Sequence, residues 1–207
     1  MIAIVDYGMG NVTSVKNGFA YVGFDSVLTD DLDVLRRSKA IVLPGVGAFG
    51  SAIQELARKG MVDFLQEREQ KGTIILGICL GLQLMFERSE EDPGIDGLNI
   101  FSGDVVRFPP YMKVPQIGWN RVNFKDDPLF TGIPQGTHFY FANSYYASAR
   151  RDEHLLAWGN YGNEFAAAVR KGNVYGLQFH PEKSGEMGLK LLLNFGRMVE
   201  DAGNTGN

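Results

Sequence analysis

Residues 73–78 read Thr-Ile-Ile-Leu-Gly-Ile, an unbroken apolar run that passes directly into Cys79 and a helical stretch from Leu80 to about Phe86. Strands facing water on one side alternate apolar and polar residues. A continuous run instead suits a central parallel strand covered on both faces. The residues before it fit that requirement. Ile2–Val5, Ser26–Leu28 and Ala40–Leu43 read as strands. Helices are predicted through Val15, Phe19 and Val22, over Asp31–Arg37, and over Ser51–Gln70 with an interruption at Gly60. Gly23 is a suitable residue to stop the first helix. Such strand–helix alternation predicts an α/β fold with a mostly parallel sheet.

After residue 95 the pattern changes. Val105–Phe108, Asn120–Phe124, His138–Tyr145, Leu155–Trp158, Phe165–Arg170 and Val174–Phe179 are short strand-like runs separated by Gly, Pro and Asn. They predict a mostly antiparallel extension, with Lys171-Gly172-Asn173 as a hairpin loop. A helix of about 15 residues after Ser184 closes the chain, with Leu189, Leu192, Leu193 and Met198 on its expected apolar face. With no repeat or linker in view, residues 1–207 read as a single domain.

Twenty Lys and Arg against 24 Asp and Glu leave a net charge of −4, which argues against a general nucleic-acid binder. No apolar run approaches the ~20 residues of a membrane span. Ile2-Ala3-Ile4-Val5 opens the chain with no basic segment before it, so no signal peptide is expected. The single cysteine cannot form an internal disulfide and fits a reducing cytoplasm.

That cysteine carries the sharpest chemical signal. In Gly77-Ile78-Cys79-Leu80-Gly81, glycines two before and two after it permit a sharp strand–turn–helix that pushes the side chain outward. A helix N-terminus there favours thiolate and offers a backbone N–H to an oxyanion. The alternative, a small buried hydrophobe, does not need the flanking glycines. Three histidines could serve as the base. His138 begins a strand and His154 lies in Arg150-Arg151-Asp152-Glu153, so both read as structural or solvated. His180 ends a strand in Gln178-Phe179-His180-Pro181-Glu182. If the pleat persists, Glu182 points the same way and can fix the imidazole tautomer. Cys79, His180 and Glu182 then form a nucleophile–base–acid relay.

Gly45-Val46-Gly47-Ala48-Phe49-Gly50 also matches the G-x-G-x-x-G of dinucleotide-binding folds. Against that use, the next strand ends at Ile78-Cys79 without the acid that would hold a ribose, and Pro44 stiffens the turn. The other use of Pro44–Gly47 is a flexible segment beside Cys79 supplying a second oxyanion N–H.

Taken together these motifs resemble the class I (triad) glutamine amidotransferases. The resemblance rests on G-x-C-x-G-x-Q at Gly77, Cys79, Gly81 and Gln83, and on His180-Pro181-Glu182. It extends through Asp6-Tyr7-Gly8-Met9-Gly10-Asn11, Glu87-Arg88-Ser89-Glu90-Glu91, Gly118-Trp119-Asn120 and Phe139-Tyr140-Phe141. It implies a flavodoxin-like three-layer α/β fold and a glutaminase needing no metal or organic cofactor. It further implies that Gly45, Gly47 and Leu80 line the glutamine and oxyanion site. Gln83 and Glu91 would grip the substrate's α-amino and carboxylate end, with Ser144 and Tyr145 closing the other side. Where family members commonly have His, this chain has Asn143, which can still donate and accept hydrogen bonds.

The loop Pro44-Gly45-Val46-Gly47-Ala48-Phe49 is most similar to family members that act as one subunit of a two-subunit synthase. That likeness implies a (β/α)8-barrel cyclase partner using the ammonia in histidine biosynthesis. It would dock on the face carrying Asn11, Trp119, Tyr140 and Lys183. The motifs span residues 6–183, which leaves no room here for an acceptor domain. Three other readings share parts of the pattern: a paralogue serving another synthase such as a sugar amidotransferase, a Cys-His-Glu peptidase or hydrolase, and a non-catalytic binding module.

Overall fold

The computed structural model describes residues 1–149 and 152–204. The elements run β1 (Ile2–Val5), α1 (Val12–Tyr21), β2 (Ser26–Thr29), α2 (Leu32–Arg37), β3 (Ala40–Gly45), α3 (Phe49–Arg58), α4 (Met61–Gln70), β4 (Ile74–Cys79) and α5 (Leu80–Leu84). Then follow β5 (Arg88–Ser89), β6 (Gly103–Arg107), β7 (Gln116–Phe124), β8 (Thr137–Asn143), β9 (Tyr145–Ala149), β10 (Leu155–Asn160), β11 (Glu164–Lys171), β12 (Val174–Leu177) and α6 (Gly185–Asn204). A nine-stranded sheet has the order β2-β1-β3-β4-β12-β11-β10-β7-β8, and β5-β6-β9 form a second, small sheet.

The strands β2, β1, β3, β4 and β12 pair in parallel. Alternation along β1 shows how one strand serves two cores. Ile2 and Ile4 pack with Val15 and Phe19 of α1 and Leu191, Leu192 and Phe195 of α6. Ala3 and Val5 pack on the opposite face with Leu35 of α2, Phe49 and Leu56 of α3, and Phe64 of α4. Covering both faces is what the apolar run at 73–78 demands, and β4 is buried along its whole length. The expected break at Gly60 is present: Gly60 sits at φ 69 between α3 and α4, a left-handed conformation that glycine adopts without steric cost.

The structure extends one expectation and corrects three. First, β12 is parallel to β4 and antiparallel only to β11, so the Lys171-Gly172-Asn173 hairpin returns the chain to the centre of the parallel sheet. Second, the run His138–Tyr145 is two strands. β8 pairs with β7, and after a break at Ser144 β9 pairs with β6 in the small sheet. Third, α6 is longer than expected and buries Gly188, Leu191, Leu192, Phe195 and Val199, while Leu189, Leu193 and Met198 are only partly buried. Fourth, α5 stops at Leu84, short of Phe86. No helix among the described residues is long and apolar enough to cross a membrane.

Candidate active site

Three neighbouring parallel strands deliver the site to one edge of the sheet, beyond their carboxyl ends, where ligands bind in open α/β folds. Gly45 at the end of β3 is in register with Cys79 at the end of β4, and Leu177 at the end of β12 pairs with Ile78. Cys79 has φ 54 and ψ −110, the positive φ of a strained elbow, and its residue is 6% exposed. The flanking glycines are required by close backbone approach. A Cβ on Gly81 would lie 1.8 Å from the Leu43 carbonyl oxygen, and one on Gly77 would lie 2.8 Å from the Gly81 carbonyl.

His180 follows β12, the strand next to β4, and hydrogen-bonds Cys79, while its Nδ1 lies 2.8 Å from Glu182 Oε1. Both side chains are almost fully buried. The expected contact is therefore present, but its local cause differs. The strand ends before His180, and residues 181–183 form a 3₁₀ turn that folds Glu182 back onto the ring. Burial pulls the imidazole pKa down, but the hydrogen bonds and charges of Cys79 and Glu182 outweigh it and raise it to about 10. The imidazole therefore holds its proton at neutral pH.

A cavity of about 300 Å³ opens beside Cys79 and His180. Gly47, Leu80, Gln83, Glu91, Ser144 and Tyr145 all line it, as does Lys183. Gly45 does not: together with Asn11, His180 and Glu182 it borders a much smaller space behind the loop. The reason is packing, since a Cβ on Gly45 would come 2.5 Å from the Tyr7 hydroxyl and 3.0 Å from Leu80 Cβ. Trp119 and Tyr140 are directly opposite each other on β7 and β8, with rings 6.2 Å apart and Trp119 57% exposed. Asn11 is exposed at the start of α1.

Several site residues escaped the sequence reading. Gln178 is fully buried, with its Nε2 3.9 Å from Cys79 Sγ and its Oε1 accepting from Gln83 Nε2 at 3.0 Å. Gln83 also donates to the Tyr145 carbonyl at 2.9 Å, as does Asn143 at the same distance. Both amides thus fix the wall carrying Ser144 and Tyr145. Ser184 accepts from Tyr140 N and donates to the His180 carbonyl, tying the histidine turn to β8. Tyr7 is buried against Gly45 with no partner for its hydroxyl among the described residues. Nothing in the spacing signals the contacts of Gln178, of Gln83, of Ser184 with Tyr140 and of Tyr7, because each joins segments distant in sequence.

The remaining histidines behave as read. His138 is exposed, and His154 packs edge-on against Phe101, while Arg150 and Arg151 lie outside the described residues. The G-x-G-x-x-G loop is not free for a phosphate. The amides of Phe49 and Gly50 at the start of α3 already donate to Glu91 and Asp92, so a second anion would meet two carboxylates.

Comparison with known proteins accords with this geometry. The chain superposes on a solved glutamine amidotransferase with a TM-score of 0.75 at 18% identity, covering 99% of this chain and 100% of that one. With PurLQS from Thermotoga maritima the TM-score is 0.73 at 20% identity, covering 96% and 98%. These likenesses show the flavodoxin-like fold. Closer in sequence is imidazole glycerol phosphate synthase subunit HisH from Moorella thermoacetica, 47% identical over 207 residues and covering 100% of this chain and 99% of that protein. The HisH subunit of Methanothermobacter thermautotrophicus is 44% identical over 199 residues, covering 96% and 99%. The family model for class-I glutamine amidotransferases matches residues 3–198. With that match spanning nearly the whole chain, the protein belongs to the class-I glutamine amidotransferase family.

Proposed function

We propose that this enzyme is the glutaminase subunit of an imidazole glycerol phosphate synthase, with Cys79, His180 and Glu182 as its catalytic triad. The observation carrying this reading is the imidazole held between Cys79 and Glu182 at the mouth of an amino-acid-sized cavity. In the proposed cycle Cys79 attacks the glutamine side-chain amide carbon as a thiolate, paired with the protonated His180. Leu80 N–H and the Gly45–Gly47 loop receive the developing oxyanion, each donor typically contributing ~3–4 kcal/mol to barrier lowering. His180, protonated in the resting site, gives its proton to the departing ammonia as the tetrahedral intermediate collapses to a thioester. It then takes a proton from water, which attacks the thioester and releases glutamate. Glu182 holds the imidazole by its Nδ1 throughout.

Substrate selection follows from the lining. Gln83, Glu91, Ser144 and Tyr145 all line the cavity; Gln83 and Glu91 are suited to the α-amino and carboxylate end of glutamine, with Ser144 and Tyr145 closing around it. The chemistry needs a thiol in reduced form, which fits a reducing cytoplasm. Relatives sharing 43–47% identity over nearly all of the chain are synthase subunits, which supports a partner subunit. We take that partner to be a HisF-type (β/α)8 cyclase docking over Asn11, Trp119, Tyr140 and Lys183, with residues 1–207 acting as one catalytic domain.

Ammonia released into water is largely protonated and useless as a nucleophile, so the reading includes a gate. Gly47, at φ 104, gives the Pro44–Gly47 loop the freedom to present or withdraw one oxyanion N–H. A partner binding the presenting state more tightly shifts the loop toward it. The test is ammonia release from glutamine by the purified chain alone and with a HisF-type barrel carrying its ligand. The complex should turn over at least ~100-fold faster, the effect of one oxyanion donor. Equal turnover would overturn the gate, and activation only by a different synthase would reassign the partner.

A further inference from the structure

The start of α3 is capped from far away. Its N-cap, Ala48, has no side chain able to accept a hydrogen bond. Two consecutive amides are met instead by adjacent carboxylates 42 residues later. Phe49 N donates to Glu91 Oε2 at 2.9 Å, and Gly50 N donates to Asp92 Oδ2 at 2.7 Å. Carboxylates there also complement the positive end of a ten-residue helix. The fit of Asp92 depends on the missing side chain at residue 50. A Cβ on Gly50 would come 2.8 Å from Asp92 Cγ and 2.7 Å from Ile95 Cδ1.

The two amides lie two and three residues beyond Gly47, so whatever holds them holds the outgoing end of the oxyanion loop. The carboxylates differ in one respect. Glu91 lines the cavity and Asp92 does not. A substrate ammonium bound at Glu91 draws on the same charge that holds Phe49 N–H, whereas the hold of Asp92 on Gly50 is indifferent to occupancy.

Resting on the glutaminase reading above, we propose that Asp92 is a positioning residue for the oxyanion loop. It anchors the loop's outgoing end through Gly50 N–H, while Glu91 couples the same helix terminus to the bound substrate. The loop must put its donor within hydrogen-bonding distance of a charge that exists only in the transition state. A loose anchor therefore lowers kcat and leaves glutamine affinity alone.

The test uses the complex with a HisF-type subunit and compares Asp92→Ala, Asp92→Asn and Gly50→Ala. Asp92→Ala should lower kcat by about fivefold or more with KM for glutamine within about twofold of the parent, since loss of a transition-state donor leaves ground-state binding intact. Asp92→Asn, which keeps an acceptor oxygen, should recover most of the rate. Gly50→Ala should reproduce the defect with the carboxylate still present, because the added methyl displaces it. Backbone amide exchange in the segment 44–56 of the free chain should quicken in Asp92→Ala and Gly50→Ala but not in Asp92→Asn. Parental kcat in both Asp92→Ala and Gly50→Ala, or a rise in KM alone, would overturn the proposal. The glutaminase reading stands or falls separately, on whether the parent complex loses its activity with Cys79.

Discussion

Adding one methyl group at Gly81 tests whether close backbone packing holds the nucleophile in place. In Gly81→Ala the new Cβ would lie 1.8 Å from the Leu43 carbonyl oxygen and 2.8 Å from its carbon. Carbon and carbonyl oxygen ordinarily approach to about 3.3–3.6 Å, so one of the two backbones must retreat by roughly 1.5 Å. Neither can move alone. Leu43 is paired with Gly77, and two residues on, Gly45 is paired with Cys79. The shift therefore separates the oxyanion loop from the thiol, and a misplacement of about 1 Å can cost ~10²-fold in rate. Overpacking generally costs ~1–3 kcal/mol, and an obstacle made of backbone belongs at the upper end. At ~2–4 °C per kcal/mol for a chain this size, about 3 kcal/mol lowers the melting temperature by roughly 6–12 °C. Helix propensity alone has the opposite sign, favouring Ala over Gly by ~1 kcal/mol. Gly23→Ala is the matched control: at φ 89 with open space around it, it should lose ~1 kcal/mol of stability and no activity. Calorimetry and steady-state glutaminase assays on both variants decide the matter. A Gly81→Ala protein with parental melting temperature and rate would refute the account of the elbow.

The triad makes a graded prediction. His180→Ala should be nearly as damaging to glutamine hydrolysis as loss of the nucleophile, and Glu182→Ala less so, since orienting a base contributes less than the base itself; equal losses measured by kcat would contradict the assigned roles. The raised imidazole pKa predicts a pH dependence of stability. A group raised from 6.5 to about 10 in the folded state stabilises fully below about pH 6.5, and that contribution is lost as pH climbs toward 10. Glu182→Gln removes part of the upward shift, so the stability gap between parent and variant should shrink as pH rises from 6.5 to 10. A gap that stays flat in denaturant titrations would remove the ion pair from the account.

Much of the site was legible because its residues are set by local backbone demands. Gly77 and Gly81 bracket a turn too tight for a side chain at either position, and Cys79 stands between them at the positive φ that their spacing predicts. The apolar run at 73–78 likewise announced a strand with both faces covered. Legibility fails where contacts join distant segments. The turn that presents Glu182 to His180 is a 3₁₀ turn rather than a continued pleat, because the proline at 181 cannot continue a strand ladder. Gln178 reaches Cys79 across 99 residues, and only the parallel pairing of β12 with β4 brings it there. The break at Ser144 carries no Gly or Pro to mark it, and it shows only in pairing, since β8 joins β7 and β9 joins β6 of the small sheet. Gly45 packs under the loop and not into the cavity because Tyr7 fills the space in front of it, a contact between residues 38 positions apart.

The central claim is that Cys79 is the nucleophile of a glutaminase, and ammonia release by Cys79→Ala tests it most directly. Measured in complex with a HisF-type subunit, beside the parent and with circular dichroism to verify the fold, the variant should release no ammonia from glutamine above background. It should still bind the partner as tightly as the parent does, because only one thiol at a turn has been removed. Appreciable turnover by a folded Cys79→Ala complex would contradict the account.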